Sequence, residues 1–468
     1  MTISRRTFLV ASGAGFAGFR FGKPGVGTAS AEAAAIAKPA KSTILFFLCG
    51  GSSHLDMWDL KPNAPTEYRG PFQAVETSAP GVRISEHLPL LAKQAHRFAV
   101  VNGVGSTVNT NDHHAGYYYN LTGHVPDPTF LTKGNSRTPY PDDWPFMGSV
   151  VAANRKLHPH LPNAITLPHK PSPPPHARPG QFAARLGVEH DPLYVLANHD
   201  KPLKFRVPAL ELQADINLRR LADRKGLLQT INARRTDFDR FGSVKTWSTQ
   251  EDRAFNLLLS SKATDAFDVG REPQKLRDRY GTSVNAMSLL TARRLVEAEV
   301  PFVTVFWLSR KRLEGSCRSY GGWDTHVNNF NCLKEFLMPE FDRAFSALIS
   351  DLADRGMLDE TLLLVTSEMG RKPKIGDPRS GGTSGSGRDH WTHCLSDVLA
   401  GGGIRGGQIY GSSDRYGEYP KDNLVNPADI TKTVYRAMGI ENLTARDQQD
   451  RQYNLLEEGD AIQKLFTG

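Results

Sequence analysis

Several short segments of this 468-residue chain carry the carboxylates and imidazoles that bind divalent cations in proteins. Asp324 and His326 stand two residues apart, Glu368 follows further on, and Asp389-His390 supplies another acid and imidazole. A bound cation polarises a phosphoryl or sulfuryl oxygen and lowers the pKa of a bound water. These residues therefore predict a metal site. The alternatives are that Asp324 and His326 only hydrogen-bond within their loop and that Glu368 caps a helix or pairs with a cation.

A glycine-led loop at residues 50–59 offers further ligands. His54, Asp56 and Asp59 lie within six residues, and the preceding glycines allow the backbone to approach a ligand closely. Asp59 is the weakest of the three candidates, because it is equally suited to cap the next turn. We expect His54 and Asp56 to serve as ligands of a second cation or to support the first.

Two adjacent histidines, His113 and His114, open an apolar segment that follows a predicted strand. Histidine is the commonest general acid or base and also a metal ligand. We expect at least one of the pair to face the substrate. The alternative is that one of them caps a helix or packs in the core.

The elements around these residues explain how distant segments can meet. Apolar runs rich in β-branched and aromatic residues predict strands, and apolar residues at helical spacing between 333 and 352, ending at Gly356, predict a helix between two of them. A strand, helix and strand in this order imply a parallel crossover, with ligands beyond the carboxyl ends of the strands. The predicted fold is α/β, with a mostly parallel central sheet and helices on both faces. The predicted strands are residues 43–49, 98–103, 301–307 and 361–366.

Length and composition fit one large α/β domain over residues 42–468. Hydrophobic residues make up 39% and charged residues 23%, which is ordinary for a soluble globular protein. The Pro- and His-rich region at about 125–205 is predicted to be a long irregular insertion, and residues 208–300 are predicted to be mostly helical.

The first 31 residues resemble a twin-arginine signal peptide. Arg5 and Arg6 stand in a Ser-Arg-Arg-Thr-Phe-Leu context, a weakly apolar stretch follows, and Ala29-Ser30-Ala31 is a small-residue cleavage pattern. The alternative is a chance arginine pair. No other stretch approaches the length of a membrane span. We therefore expect a protein exported by the twin-arginine machinery to the periplasm or secreted, without a stable membrane span.

The net charge limits the classes of binding partner, and the cysteine positions limit the possible disulfides. The chain has a formal net charge of +8, and removing residues 1–31 takes away four basic residues and no acid, leaving +4. This mild excess favours anionic substrates, while the absence of a dense basic patch with interleaved aromatics argues against nucleic acid. The four cysteines are scattered, so one disulfide between the neighbouring Cys317 and Cys332 or free buried thiols are both open.

The chain resembles the exported, sulfatase-like proteins grouped as domain of unknown function 1501, a branch of the alkaline phosphatase superfamily. The resemblance covers nearly the whole chain after the signal segment, and its motifs specify the branch but no substrate. It rests on residues 50–56, 121–123, 186–187, 191–193, 277–281, 292–298, 322–326, 367–371 and 387–391.

The resemblance implies a one- or two-metal site that hydrolyses phosphate or sulfate esters. Asp324, His326 and His390 match the ligands of the first metal, and Glu368 matches the acidic ligand of the second. The expected cofactor is a divalent ion, zinc, manganese or calcium. The expected substrate is a small anionic ester or a sulfated or phosphorylated glycan.

Three departures from the superfamily pattern concern the nucleophile and the second metal. Cys49 and two glycines follow the first strand where the superfamily has an acid. If a second metal binds, Asp56 or His54 would therefore have to extend back toward it as the ligand. Met369 replaces the histidine expected after Glu368, and methionine is a poor ligand for a hard cation. The nucleophile position ten residues before Gly123 holds His113, which makes a formylglycine mechanism improbable.

The resulting prediction is an exported metal-dependent hydrolase of phosphate or sulfate esters. Either His113 is the nucleophile or base, or it is a ligand and a metal-bound hydroxide attacks. Arg371 or Arg388 offers a guanidinium to an anionic oxygen. The main alternative is a non-catalytic exported binding protein that retains the fold. An intramolecular phosphomutase is a weaker one, because export separates it from most metabolite substrates.

Overall fold

The computed structural model describes residues 38–105, 111–172, 177–208, 223, 265–310, 322–377, 386–446 and 450–466. The predicted signal peptide, Cys317 and most of the predicted helical region before residue 265 lie outside these ranges. The strands are β1 (Ser42–Phe47), β2 (Ala74–Glu76), β3 (Arg83–Ser85), β4 (Phe98–Val104), β5 (Ala164–Leu167), β6 (Leu193–Tyr194), β7 (Phe302–Phe306), β8 (Thr361–Thr366), β9 (Gly370–Arg371), β10 (His390–Trp391), β11 (Leu395–Ala400), β12 (Gln408–Tyr410), β13 (Ser412–Ser413), β14 (Pro420–Asp422), β15 (Thr444–Arg446) and β16 (Gln452–Asn454).

Eight of these strands form the central sheet, in the order β12-β4-β11-β8-β1-β7-β5-β6. Within this sheet only β11 is antiparallel to its neighbours. The middle strands β1, β7 and β8 are buried along their whole length, which explains their continuous apolar sequences. The predicted mostly parallel sheet is confirmed, and β1 lies between the two strands joined by the predicted crossover.

Helices cover both faces of the sheet, as predicted. Successive residues of a strand point to opposite faces. Phe46 accordingly stacks on Phe341 on one side, with ring centroids 5.8 Å apart, and Phe47 contacts Tyr117 on the other at 4.8 Å. The helices are α1 (His54–Met57), α2 (Thr66–Arg69), α3 (Pro89–Ala92), α4 (His113–Thr122), α5 (Pro128–Lys133), α6 (Met147–Ala153), α7 (Gln274–Tyr280), α8 (Val284–Glu297), α9 (Asn329–Cys332), α10 (Met338–Asp354) and α11 (Pro427–Ala437), with a π-helical turn at Leu333–Leu337 joining α9 to α10.

The Pro- and His-rich region differs from the predicted irregular insertion. It contributes β5 and β6 to the central sheet, where β5 pairs with β7. Prolines at 162 and 168 bracket the four residues of β5, so its apolar pattern is too short to stand out from the surrounding loops. The region also contains α5 and α6.

Two further features concern the cysteines and the membrane. Cys332 is disulfide-bonded, and Cys49 and Cys394 are free thiols in the interior. In the part of the chain that the structure describes, no helix has the length and apolar character needed to cross a bilayer.

Candidate metal centre

One rim of the central sheet collects most of the predicted site residues. His113 begins α4 after β4, Asp324 and His326 follow β7, and Glu368 follows β8. Because these three strands are parallel, their carboxyl ends lie on the same rim. His390 precedes β11, whose antiparallel direction brings its beginning to that rim too. Strand direction therefore explains how residues more than 270 positions apart meet.

Asp324 is the centre of the cluster. Its Oδ1 lies 2.9 Å from His326 Nε2 and 3.1 Å from His390 Nε2, and the two imidazole nitrogens are 3.0 Å apart. Its Oδ2 lies 3.5 Å from His113 Nε2. Three ligand atoms thus converge on one point, and the His113 ring lies next to them, with its centroid 4.3 Å from that of His390.

Each converging imidazole is oriented through its other nitrogen. His326 Nδ1 lies 2.9 Å from Asp389 Oδ1, and His390 Nδ1 lies 2.9 Å from the Asn111 carbonyl oxygen. Both partners only accept hydrogen bonds, so Nδ1 carries the proton and donates in each ring. In their neutral forms His326 and His390 therefore present Nε2 lone pairs toward Asp324. Metal-binding histidines are commonly oriented in this way.

His113 forms a second, adjoining pair with Glu368. His113 Nδ1 lies 2.9 Å from Glu368 Oε1, which also accepts a hydrogen bond from the Gly50 backbone nitrogen at 2.8 Å. Both side chains are nearly inaccessible to solvent, at 12% and 1% exposure. Glu368 therefore fixes the His113 ring so that Nε2 points toward Asp324.

Gly50 allows the first loop to pass directly behind the cluster. Its φ is +122°, and a Cβ at this position would collide with the backbone of Trp323 and Asp324. Arg371 ties the same region together, donating from Nε to the Gly51 carbonyl oxygen at 2.8 Å and from Nη2 to the carbonyl oxygens of Gly50 and Trp323. It also donates to Asp324 Oδ1 at 2.6 Å.

Interactions with neighbouring groups keep Asp324, the acid at the centre of the cluster, ionised. Burial alone raises the pKa of Asp324, but Arg371 and the three imidazoles hold it well below its ordinary value. Hydrogen bonds to Asp324 and Asp389 raise the pKa of His326 to about 9 despite its burial. Burial lowers the pKa of His390, where Asp324 opposes the shift and Arg371 reinforces it.

The pKa values of His113 and Glu368 shift in opposite directions. Burial would lower the pKa of His113, but its hydrogen bonds to Asp324 and Glu368 raise it overall. Burial would raise the pKa of Glu368, but His113 lowers it. Both shifts favour an imidazolium beside a carboxylate.

The donor set fits a divalent cation. Two imidazole nitrogens and a carboxylate oxygen facing one another favour a positive charge between them, and the raised pKa of His326 agrees with this. The separations of 2.9 to 3.1 Å are close to the spacing of about 3.3 Å between ligands that bind tetrahedrally at 2.0 Å. Asp389 Oδ2 is also buried without a hydrogen-bond partner.

The structure separates Asp56 and Arg388 from the cluster. Both side chains are fully buried, and Arg388 donates to both oxygens of Asp56, from Nε at 2.9 Å and from Nη2 at 3.2 Å. Ser53 and Asn329 donate to Asp56 as well. Asp56 is thus an ion-paired acid, not a neighbour of the converging ligand atoms, and Arg388 is not presented to substrate.

Three other predicted residues also have local partners. His54 Nε2 hydrogen-bonds to the Gly417 carbonyl oxygen at 2.9 Å, and burial lowers its pKa. His114 Nδ1 donates to the Arg137 carbonyl oxygen at 2.7 Å, and burial lowers its pKa to about 4. Arg371 is fully buried and holds backbone carbonyls and Asp324, so it does not face a substrate either.

Sequence reasoning counted Asp389 only as a further acid beside His390, without the role of orienting His326, and gave no role to Asn111. Asp389 stood next to a candidate ligand, and its support of a histidine across the cluster depends on the loop that returns from β9. Asn111 acts through its backbone oxygen, which side-chain chemistry cannot reveal, although its φ of +46° marks an unusual conformation.

The larger cavities lie elsewhere. One of about 350 Å³ is bordered by residues 157–164 and 188–193 at the edge of the sheet, and another of about 560 Å³ by residues 60–65 and 413–416. Neither is lined by a cluster residue. Within the described ranges, the two groups of side chains spaced to hold a metal ion both belong to the rim cluster, His113 with Asp324 and His390, and His326 with Asp389 and His390.

Comparison with solved structures finds similar chains at low sequence identity. The structure of Ps i-CgsB in complex with k-i-k-neocarrahexaose aligns with a TM-score of 0.43 and 12% identity, covering 91% of this chain and 76% of that one. A phosphonate monoester hydrolase from Silicibacter pomeroyi gives 0.41 and 12%, covering 91% and 77%. The PsFucS1 sulfatase from Pseudoalteromonas sp. gives 0.39 and 13%, covering 86% and 68%.

No curated protein sequence matches the chain significantly. The family described as "Protein of unknown function (DUF1501)" matches residues 40–466, nearly the whole of the described structure. The predicted family is therefore confirmed: the chain belongs to the DUF1501 family.

Proposed function

We propose that this protein is a metal-dependent hydrolase of phosphate or sulfate esters. The observation that carries the proposal is the convergence of Asp324, His326 and His390, with His113 held beside the other oxygen of the same carboxylate. A structural cluster would need ligands alone, whereas a hydrolase also needs a group that moves protons. His113 supplies that group.

Asp324, His326 and His390 would hold the cation, with Asp389 and the Asn111 carbonyl orienting the two imidazoles. A cation bound there supplies positive charge to an ester oxygen and acidifies a bound water. Arg371 keeps Asp324 ionised and joins it to the backbone behind the site. The cation type remains zinc, manganese or calcium.

His113, in its neutral form, would act as the general base. In hydrolysis, water attacks phosphorus or sulfur, its proton passes to His113 Nε2, and the ester bond to the leaving oxygen breaks. The leaving oxygen, opposite the attacking water in an in-line displacement, takes a proton from solvent. Glu368 stabilises the resulting imidazolium through its 2.9 Å hydrogen bond to Nδ1.

The substrate would be a small anionic ester or a sulfated or phosphorylated glycan, met outside the cytoplasm. The twin-arginine motif at Arg5 and Arg6 supports export to the periplasm or medium in the folded state, with the metal already bound. The mild positive charge after signal removal favours anionic substrates.

The test is metal analysis of the purified protein, joined to assays with nitrophenyl phosphate, bis-nitrophenyl phosphate and nitrophenyl sulfate. We expect one bound divalent cation and turnover of at least one ester, with metal lost in the variant D324N. Exposed Asp359 gives the matched control, D359N, which should keep both properties. Protein without metal, or turnover unaffected by D324N, would refute the proposal.

Two observations favour the alternative of a non-catalytic binding protein. Arg371 already donates to the carboxylate oxygen that the cation would use, and position 113 offers no hydroxyl or thiol nucleophile. Tight metal binding without turnover of any ester would favour this alternative.

A further inference from the structure

Arg178, in the Pro- and His-rich region, lies against α4, the helix that begins at His113. Its guanidinium lies over the Tyr117 ring, 5.3 Å from the ring centroid. Tyr117 is four residues after His113 in α4, so the two side chains share one face of the helix and are neighbours along it. Arg178 therefore lies beside the helix face that carries the proton-transfer group.

The guanidinium of Arg178 has unused hydrogen-bonding capacity. Nη1 donates to Asn135 Oδ1 at 3.2 Å, and no carboxylate in the described part of the chain forms an ion pair with Arg178. An arginine has five N–H donors in a planar fork that suits carboxylate, phosphate and sulfate groups. A half-buried arginine without an acidic partner beside a catalytic rim is a candidate anion-binding group.

The positive charge of Arg178 affects the pKa of a cluster residue, Glu368. Burial would raise the pKa of Glu368, His113 opposes this, and Arg178 adds a smaller lowering effect. Arg178 also acts on His114 and Cys49 in this way. These effects agree with the position over Tyr117.

The other two arginines predicted to contact substrate are already engaged. Arg371 holds Asp324 and four backbone carbonyls, and Arg388 holds Asp56 and further carbonyls. Both are fully buried. Arg178 thus retains the donors that they lack.

We propose that Arg178 positions the substrate by binding the anionic oxygens of its phosphate or sulfate group that point away from the cation. This inference rests on the proposed function for the class of substrate. It assigns a specificity role to a loop of the Pro- and His-rich region, and it predicts a preference for esters with a free anionic oxygen over neutral esters.

The competing explanation is that Arg178 only balances the charge of buried Glu368. The two explanations differ in what an added anion does. A positioning residue sets the affinity for inorganic phosphate or sulfate, whereas a charge-balancing residue sets folding stability and the titration of Glu368.

The experiment compares R178A and R178K with the wild type and with R415A, which removes an exposed arginine at a separate cavity. Calorimetry measures binding of inorganic phosphate and of sulfate to metal-loaded protein, steady-state kinetics give KM and kcat, and thermal unfolding reports folding. We expect R178A to weaken anion binding and raise KM about ten- to hundred-fold, with metal content and melting temperature retained. R178K should weaken both less, and R415A should match the wild type.

The outcomes separate the inference from the proposed function. Ester turnover with anion affinity unchanged in R178A and R178K overturns the inference and leaves the hydrolase standing. Anion binding that depends on Arg178, in a protein without ester turnover, supports the anion site and refutes the hydrolase. If R178A does not fold, R178K decides, and its wild-type anion affinity would overturn the inference.

Discussion

At the scale of single residues, the site depends on which nitrogen of each histidine carries the proton. Asp389 and the Asn111 carbonyl fix Nδ1 as the donor in His326 and His390, which leaves both Nε2 atoms to face Asp324. The proton positions on the two imidazoles are therefore set by the groups that contact their Nδ1 atoms. These groups lie behind the predicted ligands and determine which nitrogen is free to bind a cation.

Replacing Asp389 by Asn should weaken metal binding about ten- to hundred-fold, because the amide no longer requires His326 to donate from Nδ1. Competition with a chromogenic chelator measures the affinity. The control D359N changes an exposed acid and should bind metal like the wild type. Equal affinity in D389N and the control would contradict the orienting role.

Replacing Asp56 by Asn should affect stability instead of metal content. It leaves Arg388 as a buried charge without its carboxylate, which costs about 3–5 kcal/mol when one partner of a buried pair is removed. Denaturant unfolding gives the free energy, and metal analysis is done on the folded fraction. Metal loss from a variant of wild-type stability would instead place Asp56 at the metal, as the sequence suggested.

Ligand type, position after strands and the family resemblance together selected Asp324, His326 and His390 from the sequence as predicted ligands. They were not enough to separate these from His54, Asp56 and Arg388. Whether an acid binds a metal or an arginine depends on which loops pack together, and this is decided by contacts between segments more than 300 residues apart.

At the scale of elements, α4 places His113 by packing directly against the chain after β8. Gly116 faces the Glu368 backbone, where a Cβ would collide with the carbonyl oxygen and lie 3.0 Å from the Glu368 Cβ. Asn120, one turn later, donates to that same oxygen at 3.1 Å. The absence of a side chain at 116 therefore sets the distance between His113 and Glu368.

Replacing Gly116 by Ala should lower turnover about hundred-fold, because the helix must move by about 1 Å and misplaces His113. Overpacking should also cost about 1–3 kcal/mol of stability. Initial rates and denaturant unfolding measure the two effects. The control G270A meets only a flexible carboxylate at 3.0 Å, and a G116A enzyme as active as this control would refute the packing argument.

Asp397 in β11 gives a pH-dependent stability. Burial raises its pKa to about 7 from an ordinary 3.8, with Thr366 opposing slightly, and neither oxygen has a partner at hydrogen-bonding geometry in the described residues. The folded state therefore holds a proton that the unfolded chain releases between about pH 4 and 7. The contribution of Asp397 to the free energy of unfolding therefore falls as the pH rises from about 4 to 7. The loss is complete above about pH 7.

The variant D397N cannot ionise, so it should be more stable than the wild type at pH 8, by up to about 4 kcal/mol at 1.36 kcal/mol per pKa unit. The difference should vanish near pH 4. Denaturant unfolding at both pH values measures it. A difference that is the same at pH 4 and pH 8 would contradict the raised pKa.

The sequence predicted the long elements better than the short ones. Buried strands such as β1, β7 and β8 have continuous apolar sequences, and α10 has a clear apolar stripe. The strand β5 was missed because four residues between prolines give no periodicity, although pairing with β7 makes it part of the sheet.

At the scale of the whole molecule, one sheet brings together loops that begin near residue 50 and end near residue 390. The direction of each strand fixes which loops share the rim, and the continuous core beneath it holds them there. The proposed twin-arginine export would deliver such a site to the periplasm already folded, because that route carries folded proteins. The fold and the rim cluster are consistent with this proposal.

The most direct test is an anomalous-scattering map, recorded at the zinc and manganese edges, of crystals grown with each metal. The account predicts one strong peak within bonding distance of Asp324 Oδ1, His326 Nε2 and His390 Nε2, with Arg371 displaced from that oxygen. It also predicts that the peak is absent in D324N. Crystals with no peak at this point, and with Arg371 still bonded to Asp324, would contradict the metal centre and the hydrolase built on it.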